Sequence, residues 1–386
     1  MYRNDYLNTV KHSTGILILL IICHAVEAGA DTNTGSYVDR ECYPEAYGIL
    51  TSEHLMFPVD MSDWPLNLDN SHQLFVDDYL IASNQNLTRE IHQPVKDPRN
   101  PLIVADKPWE RESIILTFVL RDEATRKFRM WYSTRLYYTE PGGARVRFPT
   151  LYAESDDGIV WRKPNLGLLE YEKSKENNFV IHGGRIKGLF ENPTPDKPDE
   201  RFTALVLHEP PGDLASDERP YVKREGYYLY KSPDGLRWKG DLEHCIIPAL
   251  LKYGMPQGGI ADTTIFRYDR LLKRYICSAK FVLPHATLGK IRCRGQCESE
   301  DLIHWTRPRF TIYPDDRDEP DTQIYGNIAF PYENMWLGLL RVMHTDRTGW
   351  KQVEIELSMS RDGMTWTRPA ERTPFLPFGD ADSWEP

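Results

Sequence analysis

Ser155-Asp156-Asp157-Gly158-Ile159-Val160-Trp161 is the stretch on which the fold turns, because the chain writes it again. Ser232-Pro233-Asp234-Gly235-Leu236-Arg237-Trp238 is a second copy. Ser299-Glu300-Asp301-Leu302-Ile303-His304-Trp305 lacks the glycine, and Ser360-Arg361-Asp362-Gly363-Met364-Thr365-Trp366 restores it. Copies about sixty to eighty residues apart mark a repeated supersecondary unit, and the fold is then an array of such units. Ser and Asp cap their own backbone in tight turns, and a Trp beyond the turn is expected to pack between neighbouring units. The phrases therefore mark architecture rather than chemistry.

Ahead of each phrase lies an aromatic or apolar strand: Phe128-Arg129-Met130-Trp131-Tyr132, Arg201-Phe202-Thr203-Ala204-Leu205, and strands starting near Tyr275 and Trp336. Each is preceded by a polar turn and another apolar run, such as Ile114 to Leu120. A four-stranded antiparallel unit repeated radially is a propeller blade. The copies delimit blades at about 110–170, 185–245, 258–312 and 322–372. Phe375 to Gly379 begins like a further inner strand, and the strand-like run Leu74 to Ile81 can complete that blade from the other terminus. The expected fold is an all-β, five-bladed β-propeller over 69–386, its fifth blade incomplete at the C-terminus. On this reading the chain is a fragment of a longer one. One short helix, Ile246 to Leu251, is the exception to the strand pattern.

Forty per cent hydrophobic residues, with 10 Trp, 21 Tyr and 14 Phe among 386 residues, supply a substantial core and exclude wholesale disorder. The net charge of -10 is spread without long like-charged runs, which argues against a nucleic-acid partner. Residues 1–30 hold Arg3, Lys11, the apolar run Gly15 to Cys23 and Ala28-Gly29-Ala30, the pattern of a secretory signal peptide. The run is short for a membrane span, so a secreted protein with no membrane attachment after cleavage is expected. Residues 31–68 form an irregular extension. Cys42, Cys245, Cys277, Cys293 and Cys297 would remain, an odd number without zinc spacing, and the sequon Asn86-Leu87-Thr88 agrees with export.

The Ser-Asp-Trp phrases together with Phe128-Arg129-Met130-Trp131-Tyr132, Leu74-Phe75-Val76-Asp77-Asp78-Tyr79-Leu80-Ile81, Asp106-Lys107-Pro108-Trp109-Glu110 and Tyr152-Ala153-Glu154-Ser155 resemble the five-bladed propeller glycoside hydrolases. That group holds invertases, levansucrases, arabinanases and β-xylosidases, and the likeness covers roughly residues 70–386. It implies carboxylates at the entrances of the innermost strands, around an axial funnel. One acid protonates the leaving oxygen, a second carboxylate attacks or activates water, and a third tunes the acid. Looking ten to fifteen residues before each aromatic strand, the candidates are Asp262 in blade three and Glu110 in blade one, with Asp106 and Trp109 as substrate-binding neighbours. In blade two Phe190-Glu191-Asn192-Pro193 carries Asn where the group often has Asp, leaving Glu191 to substitute. Blade four offers Asp318, Glu319 and Asp321 ahead of Tyr325, and Trp384 near the end of the chain is a further sugar-binding candidate.

Eleven histidines show no H-x-x-x-H or H-E-x-x-H spacing, and His285, His304 and His344 stand isolated. No G-x-S-x-G phrase or phosphate loop occurs. The expectation is a secreted glycoside hydrolase with a carbohydrate substrate and no cofactor, a structural calcium being admitted on the axis. The alternatives are a glycan- or protein-binding propeller that does not cut, and a related phosphorylase.

Overall fold

The computed structural model describes residues 70, 72–81, 83–110, 113–123, 125–140, 143–192, 197–208, 226–248, 263–285, 289–306, 308–345, 351–369 and 371–379. The strands fall into four successive antiparallel units, each with one Ser-Asp phrase, the first running past the expected end at 170 to residue 181. Unit one pairs β1 (Ile115–Arg121), β2 (Phe128–Ser133), β5 (Thr150–Ser155) and β6 (Phe179–Ile181), with the hairpin β3 (Leu136–Glu140) and β4 (Gly143–Arg147) inserted between β2 and β5. Unit two is β7 (Gly184–Glu191), β8 (Phe202–His208), β9 (Gly226–Ser232) and β10 (Lys239–Pro248), in sheet order as in sequence. Unit three, β11 (Ile265–Asp269), β12 (Arg274–His285), β13 (Gly289–Ser299) and β14 (Arg309–Ile312), repeats that order. Unit four has β15 (Gln323–Tyr332), β16 (Met335–Thr345) and β17 (Lys351–Ser360). The first strands of units two and three, β7 and β11, lie side by side and parallel, meeting at Gly188 and Phe266. These two strands thus share a direction, and at their N-terminal edge Thr150 at the start of β5 donates to Gly184 O while Arg294 bridges Thr263 O and Tyr325 O of units three and four.

The sheets stack face to face, which the strand composition requires. In β8, Ala204 and Val206 enter a core with Trp131 and Tyr152 of unit one, while Leu205 and Leu207 face Phe266, Cys277 and Trp305 of unit three. A strand covered on both faces reads as a continuous apolar run instead of an alternating one. Each such valine or leucine side chain contributes about 1.5–3 kcal/mol by leaving water. Ile312 of unit three closes on Trp336, Leu340 and Trp366 of unit four.

The Ser-Asp phrases fold as the sequence suggests, four times alike. Ser155 Oγ donates to Asp157 Oδ1 at 2.9 Å and accepts the Gly158 amide at 2.9 Å, while Asp157 Oδ1 accepts the Ile159 and Val160 amides at 2.8 Å. Ser232, Ser299 and Ser360 repeat the pattern with Asp234, Asp301 and Asp362. The glycines stand at φ of +76°, +72° and +74°, and Leu302 takes the same left-handed conformation at +68°. Leu302 is buried in a core cluster, so apolar contact offsets backbone strain of about 1–2 kcal/mol. The Trp of the first three phrases closes its own turn, for example Trp161 Nε1 donating to Gly158 O at 3.1 Å. Trp305 and Trp366 also sit in cores shared with the preceding unit, and hydrogen-bonded links between units come from the second strands: Trp131 Nε1 reaches Gly235 O at 2.7 Å, and Trp336 Nε1 reaches Asp269 Oδ2 at 2.6 Å.

Three expectations change. Residues 74–81 form turns and bends, not a strand, and dock on unit four, where Arg361 pairs with Asp77 at 2.7 Å. The segment beginning at Phe375 pairs with β17 through Ile355 and Leu376, so it is the outer edge of unit four and not an inner strand of a fifth. Residues 246–248 belong to β10, not to a helix. The expected signal peptide and extension lie outside the described residues.

Candidate functional site

Two edges of the sheets carry polar chemistry. One holds the Ser-Asp turns, whose side chains are spent on their own backbone. The other is the entrance edge, where β1, β7, β11 and β15 begin and where β2, β8, β12 and β16 end, as the antiparallel registers require.

At the entrance of unit one the loop before β1 is organised by Glu110, which is fully buried. Its Oε2 accepts the backbone amides of Asp106 at 2.9 Å and Lys107 at 3.0 Å and the ammonium of Lys163 at 2.7 Å. Oε1 accepts the Tyr132 hydroxyl, and burial, with Glu110 adding to it, raises the phenol's pKa so that it keeps this proton. A carboxylate so enclosed has no face for a substrate, and the structure gives Glu110 a positioning part in place of the expected catalytic one. The group it presents is Asp106, 57% exposed, with Oδ1 on Lys163 Nζ at 2.7 Å. The hydrogen bond from Lys163 holds the Asp106 carboxyl below its ordinary value, so it stays anionic. Trp109 is half-buried, donates to Asn178 Oδ1 at 3.0 Å and leans on Phe179 with ring centroids 6.1 Å apart. It is a packed residue of unit one, not an open sugar platform.

Unit two places Glu191 at the far edge. It is the last residue of β7, paired with Phe202, and its Oε1 holds Arg201 Nη2 at 2.6 Å. Glu191 and Glu110 therefore stand at opposite ends of their units and cannot act on one bond. The true entrance of unit two is His182-Gly183-Gly184-Arg185. Behind it His208 is buried and its Nε2 meets the Tyr230 hydroxyl at 2.7 Å, burial pushing the imidazole pKa down to about 4.

In unit three Asp262 lies outside the described residues. Its neighbour Thr263 is at the entrance edge, where Arg294 donates to Thr263 O and Oγ1, each at 3.1 Å, and to Ser278 O at 2.6 Å. In unit four Asp318 is locked to Arg368 by two 2.7 Å bonds, with Glu356 on the other side of the same guanidinium. Asp321 is partly open and faces His344, whose other nitrogen faces Glu354. Tyr325 is half-buried in β15 beneath the Arg341 guanidinium, 5.4 Å from the ring centroid. Trp384 lies outside the described residues. Among the described residues no group of three or more His, Cys, Asp or Glu is placed to hold a metal ion.

No family model matches the chain, and neither does any curated protein. Solved structures similar to it include a thermostable family-43 glycoside hydrolase, at 12% identity and a TM-score of 0.45, covering 69% of this chain and 75% of that one. A glycosyl hydrolase from Bacteroides ovatus gives 13% identity and a TM-score of 0.43 over 76% and 82% of the two chains. An N-acetylgalactosamine deacetylase from F. plautii, in complex with blood group B trisaccharide, gives 15% and 0.39 over 64% and 66%. At TM-scores below 0.5 these likenesses carry no argument about the reaction.

Reasoning from the sequence missed Lys163, His344 and Glu354. Lys163 follows the Trp161 turn and returns to the opening loop of its own unit, a contact invisible to a scan for acids. His344 and Glu354 were findable by writing the hairpin register, which sets His344 opposite Gln352 on β17, two residues from Glu354.

Proposed function

We propose that this protein is a secreted, propeller-type protein that hydrolyses O-glycosyl bonds of a carbohydrate, with its reacting groups at the entrance edge. The observation that carries the reading is the sorting of acids between the two edges. The turn-edge aspartates of the four phrases are consumed by backbone amides, whereas Asp106 and Asp321 keep open surface at the edge where the unit-starting strands begin. Asp106, kept anionic by Lys163, suits the base or nucleophile of glycoside cleavage, and Asp262, one residue before Thr263, is proposed as its partner carboxylate. The test is turnover of aryl glycosides and of plant and algal polysaccharides by the mature protein. Asp106→Asn and Asp262→Asn should each lower turnover about 10²–10⁴-fold. Glycan binding without turnover, unchanged in both variants, would replace the hydrolase with a binding propeller; turnover that requires inorganic phosphate would make it a phosphorylase.

A further inference from the structure

Breaking a glycosidic bond requires a group that arrives carrying a proton and gives it to the departing oxygen. Four described acids near the entrance edge are unsuited to that part. Asp106 is held ionised by Lys163, Glu110 is enclosed by its donors, and Asp318 and Glu356 close on Arg368. An imidazole at the same edge can carry that proton near neutral pH.

His344 lies one residue before the end of β16, 24% exposed. Its Nδ1 is 3.4 Å from Asp321 Oδ1, just ahead of β15, and its Nε2 is 3.5 Å from Glu354 Oε1 on β17. Gln352 is opposite it on β17, and the Phe378 ring meets the imidazole edge-on at 6.2 Å from the adjoining outer segment. Two carboxylates from two different elements thus flank one ring at an open edge. Both distances are longer than an ordinary hydrogen bond, and such contacts tighten when a substrate closes the site. The Glu354 hydrogen bond first, and Asp321 after it, raise the imidazole's pKa against the opposing effect of burial.

We propose that His344 is the proton-transfer residue of this glycan site, with Asp321 and Glu354 as its positioning residues and glycosides of unactivated alcohols as its substrates. The inference rests on the hydrolase reading above. The anomeric C–O bond breaks with its electron pair going to the leaving oxygen, which replaces Asp321 in the long 3.4 Å contact at Nδ1 and takes the proton of that nitrogen to become an alcohol. Water adds to the anomeric carbon, its released proton passes through an edge carboxylate to solvent, and His344 takes one back.

The experiment compares His344→Gln with wild type on an oligosaccharide and on a 2,4-dinitrophenyl glycoside, whose leaving group needs no proton. The variant should lose about 10²–10³-fold in kcat/KM on the oligosaccharide and stay close to wild type on the dinitrophenyl substrate. The alkaline limb of the wild-type pH profile should disappear with it. Glu354→Gln and Asp321→Asn should move that limb to lower pH, since each carboxylate holds the imidazole's proton on. Equal loss on both substrates, or no loss on either, by a folded variant of an active wild type overturns the proton-transfer role alone. A wild type inert on every glycoside overturns the hydrolase reading and this inference with it.

Discussion

The turn edge and the entrance edge are built from the same strands and differ in one respect: the first is the same four times and the second is different each time. Every Ser-Asp turn spends its carboxylate on two amides of its own turn. The entrances hold, in order, a buried Glu110 with an exposed Asp106, a closed His208–Tyr230 pair, an Arg294-pinned Thr263, and an open Asp321–His344–Glu354 cluster. Repetition reports what the fold needs of each unit. Departure from repetition reports where one unit does something its neighbours do not.

The contrast can be broken most severely at Glu110. Glu110→Ala should cost about 3 kcal/mol in urea unfolding, because Lys163, two backbone amides and the Tyr132 hydroxyl lose their shared acceptor inside the protein. A loss of turnover with unchanged stability would instead make Glu110 a reacting group. Next is His208, whose folded pKa of about 4 is below the unfolded value of 6.5. The unfolded chain then binds the extra proton between those values, so stability should be full above about pH 6.5 and fall by about 2–3 kcal/mol as pH drops toward 4. His208→Gln should flatten that limb of the stability–pH curve, and an unaltered limb would refute the assignment.

Smaller effects discriminate among the repeated turns themselves. Gly235→Ala should destabilise by about 2–3 kcal/mol, combining left-handed strain with overpacking, since its new Cβ would lie 2.8 Å from Trp131. Gly158→Ala meets only Phe128 at 3.5 Å and should cost about 1 kcal/mol of strain. Equal costs in calorimetry would mean that the link from Trp131 to unit two is not close-packed.

The turn edge was readable in the sequence because its contacts span two or three residues, which a short motif records in full. The entrance edge was only partly readable. Glu191 was misplaced because the connection from β7 to β8 runs from 192 to 201, whereas β1 and β2 are joined by 122–127, so counting back a fixed distance from the aromatic strand lands at the wrong end of β7. Glu110 was read as reactive because its type and position fit, while its burial depends on Tyr132 and Lys163, each more than twenty residues away. His344 stood isolated in sequence because its partners come from Asp321 across one hairpin and Glu354 across the next.

The division of labour between the edges is tested most directly by one paired measurement, turnover per folded molecule and unfolding midpoint for Asp106→Asn and Ser232→Ala. Asp106→Asn should lower turnover of a cleaved glycan by at least about 10²-fold and leave the midpoint in place. Ser232→Ala, which removes a buried hydroxyl from its turn, should cost about 1 kcal/mol of stability and leave turnover per folded molecule unchanged. The reverse result, chemistry lost at Ser232 and kept at Asp106, would contradict the account.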